Sequence, residues 1–229
     1  MSDHMILPTE TSEKTSATAI QKWGGFACFV LAVAFVVPPA IHLFGELRST
    51  FGPLTYDLAD FLNGPVWAAS LVMAVFALRE RIGELAPRRM SLALLVAILA
   101  AGAMLAVACI RSANRHYHLA HPDLNLENSI PVLVVWATLV AGVSGAAWHA
   151  LGWVLILVGS AGWTSHRLPR LLSALYWVAG ASSLLVYALP ENEGNATVFC
   201  LVISIWQGIL LLKAGAAETQ KRITNLEHP

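Results

Sequence analysis

From Ile130 to Trp163 the chain runs for 34 residues without a Lys, Arg, Asp or Glu. No other feature limits the fold as tightly, because an uncharged apolar run of that length reads as a membrane-spanning helix. Wholly helical, it would be roughly 51 Å long at about 1.5 Å per residue. A hydrocarbon core is only about 30 Å thick. The mismatch predicts a break near Gly142–Gly145, with an apolar outer-side helix over Pro131–Ala141 and the span proper from there to Trp163. A single long, tilted helix is the alternative. Read as a helix, one face of the run carries Gly142, Gly145, His149, Gly152, Ile156 and Gly159. Small residues stepping by three and four let a second helix approach closely, so His149 is expected to look into the protein.

The rest of the chain has the same character. It is 57% hydrophobic and 12% charged, where soluble domains carry about 25% charge. The blocks predict an all-α, polytopic bundle of six transmembrane helices, with the extra apolar outer-side helix before the fourth. Residues 1–20 read as a polar cytoplasmic tail without the apolar core of a signal peptide, 21–213 as the membrane domain, and 214–229 as a second cytoplasmic tail. The first helix spans Trp23–Phe44, with Pro38-Pro39 removing two backbone donors near its outer end and His42 one turn beyond. In the loop that follows, Tyr56, Asp57 and Asp60 share a face if TYDLADFL is a short interfacial helix. The second helix starts at Gly64-Pro65 and runs to Leu78, with Trp67 at the outer interface. The third covers Met90–Ile110, the fifth Leu171–Leu189 and the sixth Val198–Leu212.

Charge placement sets the expected orientation. With both ends inside, eleven of the fourteen Lys and Arg fall on inner segments and only Arg48, Arg111 and Arg115 on outer ones, as the positive-inside rule requires. No basic tract with interleaved aromatics is present, so nucleic acid is not an expected partner.

Histidines gather on the outer side. His116, His118 and His121, followed by Asp123, offer imidazole and carboxylate donors suited to a transition metal. The same residues also suit a solvated loop or a pH sensor. His42 and His149, on different helices, are candidates to clasp a haem b between them. Arg111 and Arg115 are expected to reach Asp57, Asp60 or Glu191 on neighbouring loops, or else to hold an anion or lipid headgroup. No residue is read as catalytic: HExxH and GxSxG are absent, and no span has an ionisable group other than histidine near its centre, against a proton pump or ion-coupled transporter. Cys28, Cys109 and Cys200 lie in apolar segments and read as small buried hydrophobes, with a Cys109–Cys200 bridge left open.

Three segments carry a resemblance: FLNGPVWAASLVMAVFALRER in the second helix, GVSGAAWHALGWVLILVG in the fourth, and SHRLPRLLSALYWVAGASSLL leading into the fifth. Their order resembles a group of bacterial six-helix membrane proteins of a domain-of-unknown-function family, over about residues 20–213. The resemblance implies the fold and a bacterial plasma-membrane location, and it transfers no catalytic residue. Beside the lipid bilayer, the expected partners are other membrane subunits or further copies of the chain. Two functions remain in view. One is a non-enzymatic membrane module that packs against partner helices or binds a small hydrophobic ligand, in the manner of an accessory subunit. The other is a metal- or haem-binding membrane protein with its histidine site on the outer side.

Overall fold

In an apolar surrounding the backbone must satisfy its own N–H and C=O groups, and a helix does this within one segment. The computed structural model describes residues 9–48, 52–121 and 130–227, with side chains placed over 19–44, 52–121 and 130–216. Among these the chain is helical, without a strand: α1 (Thr9–Arg48), α2 (Pro53–Phe61), α3 (Trp67–Ile82), α4 (Pro87–Ala120), α5 (Ile130–Ser165), α6 (Arg170–Leu185) and α7 (Glu193–Glu227). Five stretches are long and apolar enough to cross a membrane: Ala19–Phe44, Pro53–Ile82, Pro87–Ala120, Ile130–Ser165 and Pro190–Ala216. The remaining helix, α6, has 16 residues, about 24 Å at about 1.5 Å per residue. The chain is a membrane-embedded helical protein.

The helices form a closed ring in chain order. Each of α3 to α6 packs on its neighbours in sequence, and α7 returns to α1. Small residues set the closest approaches. Gly152 of α5 faces Gly180 of α6, and a Cβ on Gly152 would stand 2.8 Å from the Gly180 carbonyl oxygen. Gly25 of α1 and Gly208 of α7 meet in the same way, at 3.2 and 3.1 Å from each other's carbonyls. Inside the ring Phe35 touches two buried indoles, Trp67 edge-on at 6.1 Å and Trp148 at 6.2 Å. Trp67 is thus a core residue, 1% exposed, and not an interface anchor. At the end of the bundle near the α3–α4 turn, Arg89 donates to the Ser160 carbonyl at 3.2 Å and to Thr164 Oγ1 at 3.0 Å. These bonds tie the start of α4 to the end of α5.

Three expectations about helix limits change. The break at Gly142–Gly145 is absent: α5 is one uninterrupted helix of 36 residues, and the segment expected as a separate outer-side helix, Pro131–Ala141, is part of it. Glycine weakens a helix by only about 1 kcal/mol relative to alanine, and apolar surroundings offer its backbone no competing partner. At α2–α3 the expected interfacial helix and span are continuous, joined by a π-helical turn over Leu62–Val66 that contains Pro65. Proline lacks the N–H for the usual i→i−4 bond, and a wider turn accommodates the gap. The third change concerns α4, which continues to Ala120 through residues expected to form a loop.

Candidate functional site

The polar side chains concentrate where α1, α2 and α4 meet. Pro53 opens α2 at its first turn, a position that tolerates proline. From there the helical repeat puts Tyr56, Asp57 and Asp60 on one side. Past its apolar stretch, α4 presents Arg111 and Arg115 one turn apart. Arg115 occupies the centre: its Nη1 donates to Asp57 Oδ1 and its Nη2 to Asp60 Oδ2. The guanidinium also lies over the Tyr56 ring, 5.5 Å from its centre. Arg111 adds a second positive charge within electrostatic range of Asp60. A planar fork of donors suits this two-carboxylate grip in a way an ammonium does not.

Two histidines extend the pair of carboxylates at either side. His116 Nε2 lies 3.3 Å from Asp57 Oδ2, and His42 Nε2 lies 3.8 Å from Asp60 Oδ1. The His42 ring also packs on Tyr56, with centres 5.5 Å apart. The result is a chain of five ionisable groups, His116, Asp57, Arg115, Asp60 and His42. It passes from a His116 side chain 60% exposed to an Asp60 side chain 2% exposed. A carboxylate that deeply buried is tolerable only with a paired charge, which Arg115 supplies. Asp60 Oδ1 and His42 Nε2 are buried without a hydrogen-bond partner. The network fastens three helices at one end of the bundle and leaves one acceptor and one imidazole nitrogen facing each other.

The histidines nominated as ligands are distributed differently. His116 and His118, two residues apart near the end of α4, point to different sides, and His121 is the non-helical cap residue. His116 goes to Asp57. His121 folds back on its own helix, its Nδ1 3.1 Å from the Tyr117 carbonyl and its ring stacked on Tyr117 at 4.5 Å. Asp123 lies outside the described residues. Among the described residues no three His, Cys, Asp or Glu side chains converge as a metal-binding group. His42 and His149 keep separate company: His149 accepts from Trp153 Nε1 at 3.2 Å and meets the edge of Tyr187 at 6.3 Å. His149 is also exposed, against the expectation that it looks inward. Trp148, one residue earlier, takes the inward direction, and a step of about 100° on the helix carries His149 out of the core.

Two groups escaped the sequence reading. The His42–Asp60 approach joins residues in separate elements, which no spacing reveals. Gln207 had a visible signal, a lone amide inside the apolar stretch LVISIWQGILLL. It is 1% exposed, and neither amide atom has a hydrogen-bond partner. No family model, curated protein sequence or solved structure matches the chain.

Proposed function

We propose that this chain is a non-enzymatic six-span module of a bacterial plasma membrane, both ends cytoplasmic, that assembles with a partner subunit through α5. Support for the orientation comes from the eleven inner Lys and Arg of fourteen, and for the bacterial membrane from the sequence resemblance. The observation that carries the assembly reading is the exposure of α5. Only 11% of its most apolar window is buried inside the bundle, against 33–50% for the other long helices. Its first turns expose Ile130, Val134, Val135 and Leu139.

Lipid does not account for all of that surface. The Arg89–Thr164 contact sets α4 and α5 side by side, and as many residues separate Arg89 from Arg111 as separate Thr164 from Gly142. Gly142 is therefore level with Arg111, and the turns before it are level with the charged end of α4. An apolar segment beside a charged one, at a depth where the neighbour has left the hydrocarbon, favours cover by an uncharged, aliphatic helix of another protein chain.

The test is site-directed cross-linking in native membranes from cysteine placed at Val135, followed by native mass measurement after mild solubilisation. A cross-linked partner chain, lost when Leu139→Glu is added one turn along the same exposed face, supports the reading. A cross-link between two copies would make the partner a second copy of this chain. Monomer without cross-links would remove the proposal.

One observation favours a second reading, an outer-side metal site. His42 Nε2 and Asp60 Oδ1 face each other across 3.8 Å with no hydrogen-bond partner, a separation that a bridging metal ion accommodates at about 2.0–2.2 Å from each. Elemental analysis of untagged protein decides it. Zinc, copper or iron near one per chain, lost in His42→Ala, supports the site. Background metal removes it.

A further inference from the structure

The ring of helices encloses a cavity of about 40 Å³ between α1, α3, α5, α6 and α7. Its wall is aliphatic and aromatic apart from five groups: the Cys28 and Cys200 thiols, the Tyr176 and Ser204 hydroxyls, and the Gln207 amide. No Asp, Glu, Lys, Arg or His lines it. Three of the five polar groups, Cys200, Ser204 and Gln207, come from one face of α7, stepping by four and three residues.

We infer that this cavity is a binding site for one resident water molecule, held by the Gln207 amide. A primary amide carries two N–H donors and a carbonyl acceptor. For Gln207 all of these are buried, and none has a partner on the protein. An amide removed from water without replacement bonds is strongly disfavoured, and most of all in a bundle surrounded by hydrocarbon. The space beside it is large enough to supply the missing partner, since a water needs only about 10–15 Å³ of such volume. It is far below the roughly 300–1,000 Å³ of a pocket for a drug-sized molecule. The uncharged wall rules against an ion, which would lie there without a counter-charge. A buried water takes two to four hydrogen bonds, and Gln207 and Ser204 of α7 with Tyr176 of α6, all lining the cavity, furnish that number.

The site lies beside the glycine seam between α1 and α7. Gly208, the next residue, meets the Gly25 carbonyl of α1, so the water occupies the space just inside the closest α1–α7 approach. Its amide post comes from α7, and the opposing wall comes from α1, α3, α5 and α6. That geometry sets the water among five of the six helices of the ring, all but α4.

Radiolytic hydroxyl labelling by X-ray pulse, read by mass spectrometry on the full chain in lipid nanodiscs, tests this directly. A bound water activated in place oxidises the side chains next to it. Cys28, Cys200 and Tyr176 are 2%, 2% and 4% exposed and should label nonetheless. In Gln207→Leu their labelling should fall at least about fivefold, while Tyr187, 70% exposed, labels as before. Gln207→Met serves if the leucine variant does not fold. Unlabelled Cys28, Cys200 and Tyr176 in the wild type would overturn the inference outright. So would equal labelling in a folded Gln207 variant.

Discussion

Replacing Arg115 by methionine keeps most of the side-chain stem and removes the charge that the α1–α2–α4 junction is built on. Asp60, with a side chain 2% exposed, would then be a carboxylate without its guanidinium. Removing one partner of a buried pair costs about 3–5 kcal/mol. The bond to Asp57, whose side chain is 26% exposed, adds only about 0–1 kcal/mol because solvent screens it. The position over Tyr56 adds about 0.5–1 kcal/mol. Arg115 itself retains 19% exposure, which lets water reach part of the vacated site and places the expected loss near the lower limit, about 3 kcal/mol. At about 2–4 °C per kcal/mol for a chain of this size, thermal unfolding in mild detergent should shift down by roughly 6–12 °C. The decisive comparison is the double variant Arg115→Met with Asp60→Leu. It removes both charges together, and apolar replacement of a whole buried pair is close to neutral. The double variant should therefore recover at least about half of the loss in Arg115→Met. Arg115→Met unfolding within 2 °C of the wild type, or a double variant less stable than the single one, would refute the view that Asp60 depends on Arg115.

Other positions give sharper local tests. Gly152→Ala should destabilise by about 1–3 kcal/mol, since its Cβ would meet the Gly180 backbone oxygen at 2.8 Å and a helix backbone does not yield easily. Gly142→Ala, where nothing stands within 4 Å, should be neutral or stabilising by up to about 1 kcal/mol. Thermal unfolding of the two variants side by side checks both signs. His166 ends α5 with φ of 53°, and His166→Gly should raise stability by about 1 kcal/mol by relieving the left-handed conformation. Trp67→Ala should cost about 3–5 kcal/mol as a core cavity, whereas Trp153→Ala, at a position 47% exposed, should cost under about 1 kcal/mol.

The apolar blocks made the helical membrane class legible, because hydrocarbon leaves the backbone so few alternatives. Helix limits were less legible. Bilayer thickness bounds only the part of a helix that meets lipid, so dividing the run from Ile130 to Trp163 by that thickness imposed a break that the backbone has no reason to make. The polar stretch RSANRHYHLA has the composition of a loop, yet it contains no proline or glycine, and α4 runs through it to Ala120. That one difference redistributes the histidines: a loop can bring His116 and His118 together, whereas two positions along a helix point them to different sides. The site that did emerge was legible where it was local, in the spacing of Asp57 with Asp60 on α2. It became illegible where it crossed between elements, at His42 with Asp60. The organising residue is an arginine because one planar fork can satisfy two carboxylates presented a turn apart. That Arg115 fork joins α2 to α4, and His42, beside the Asp60 carboxylate and the Tyr56 ring, brings α1 to the same junction.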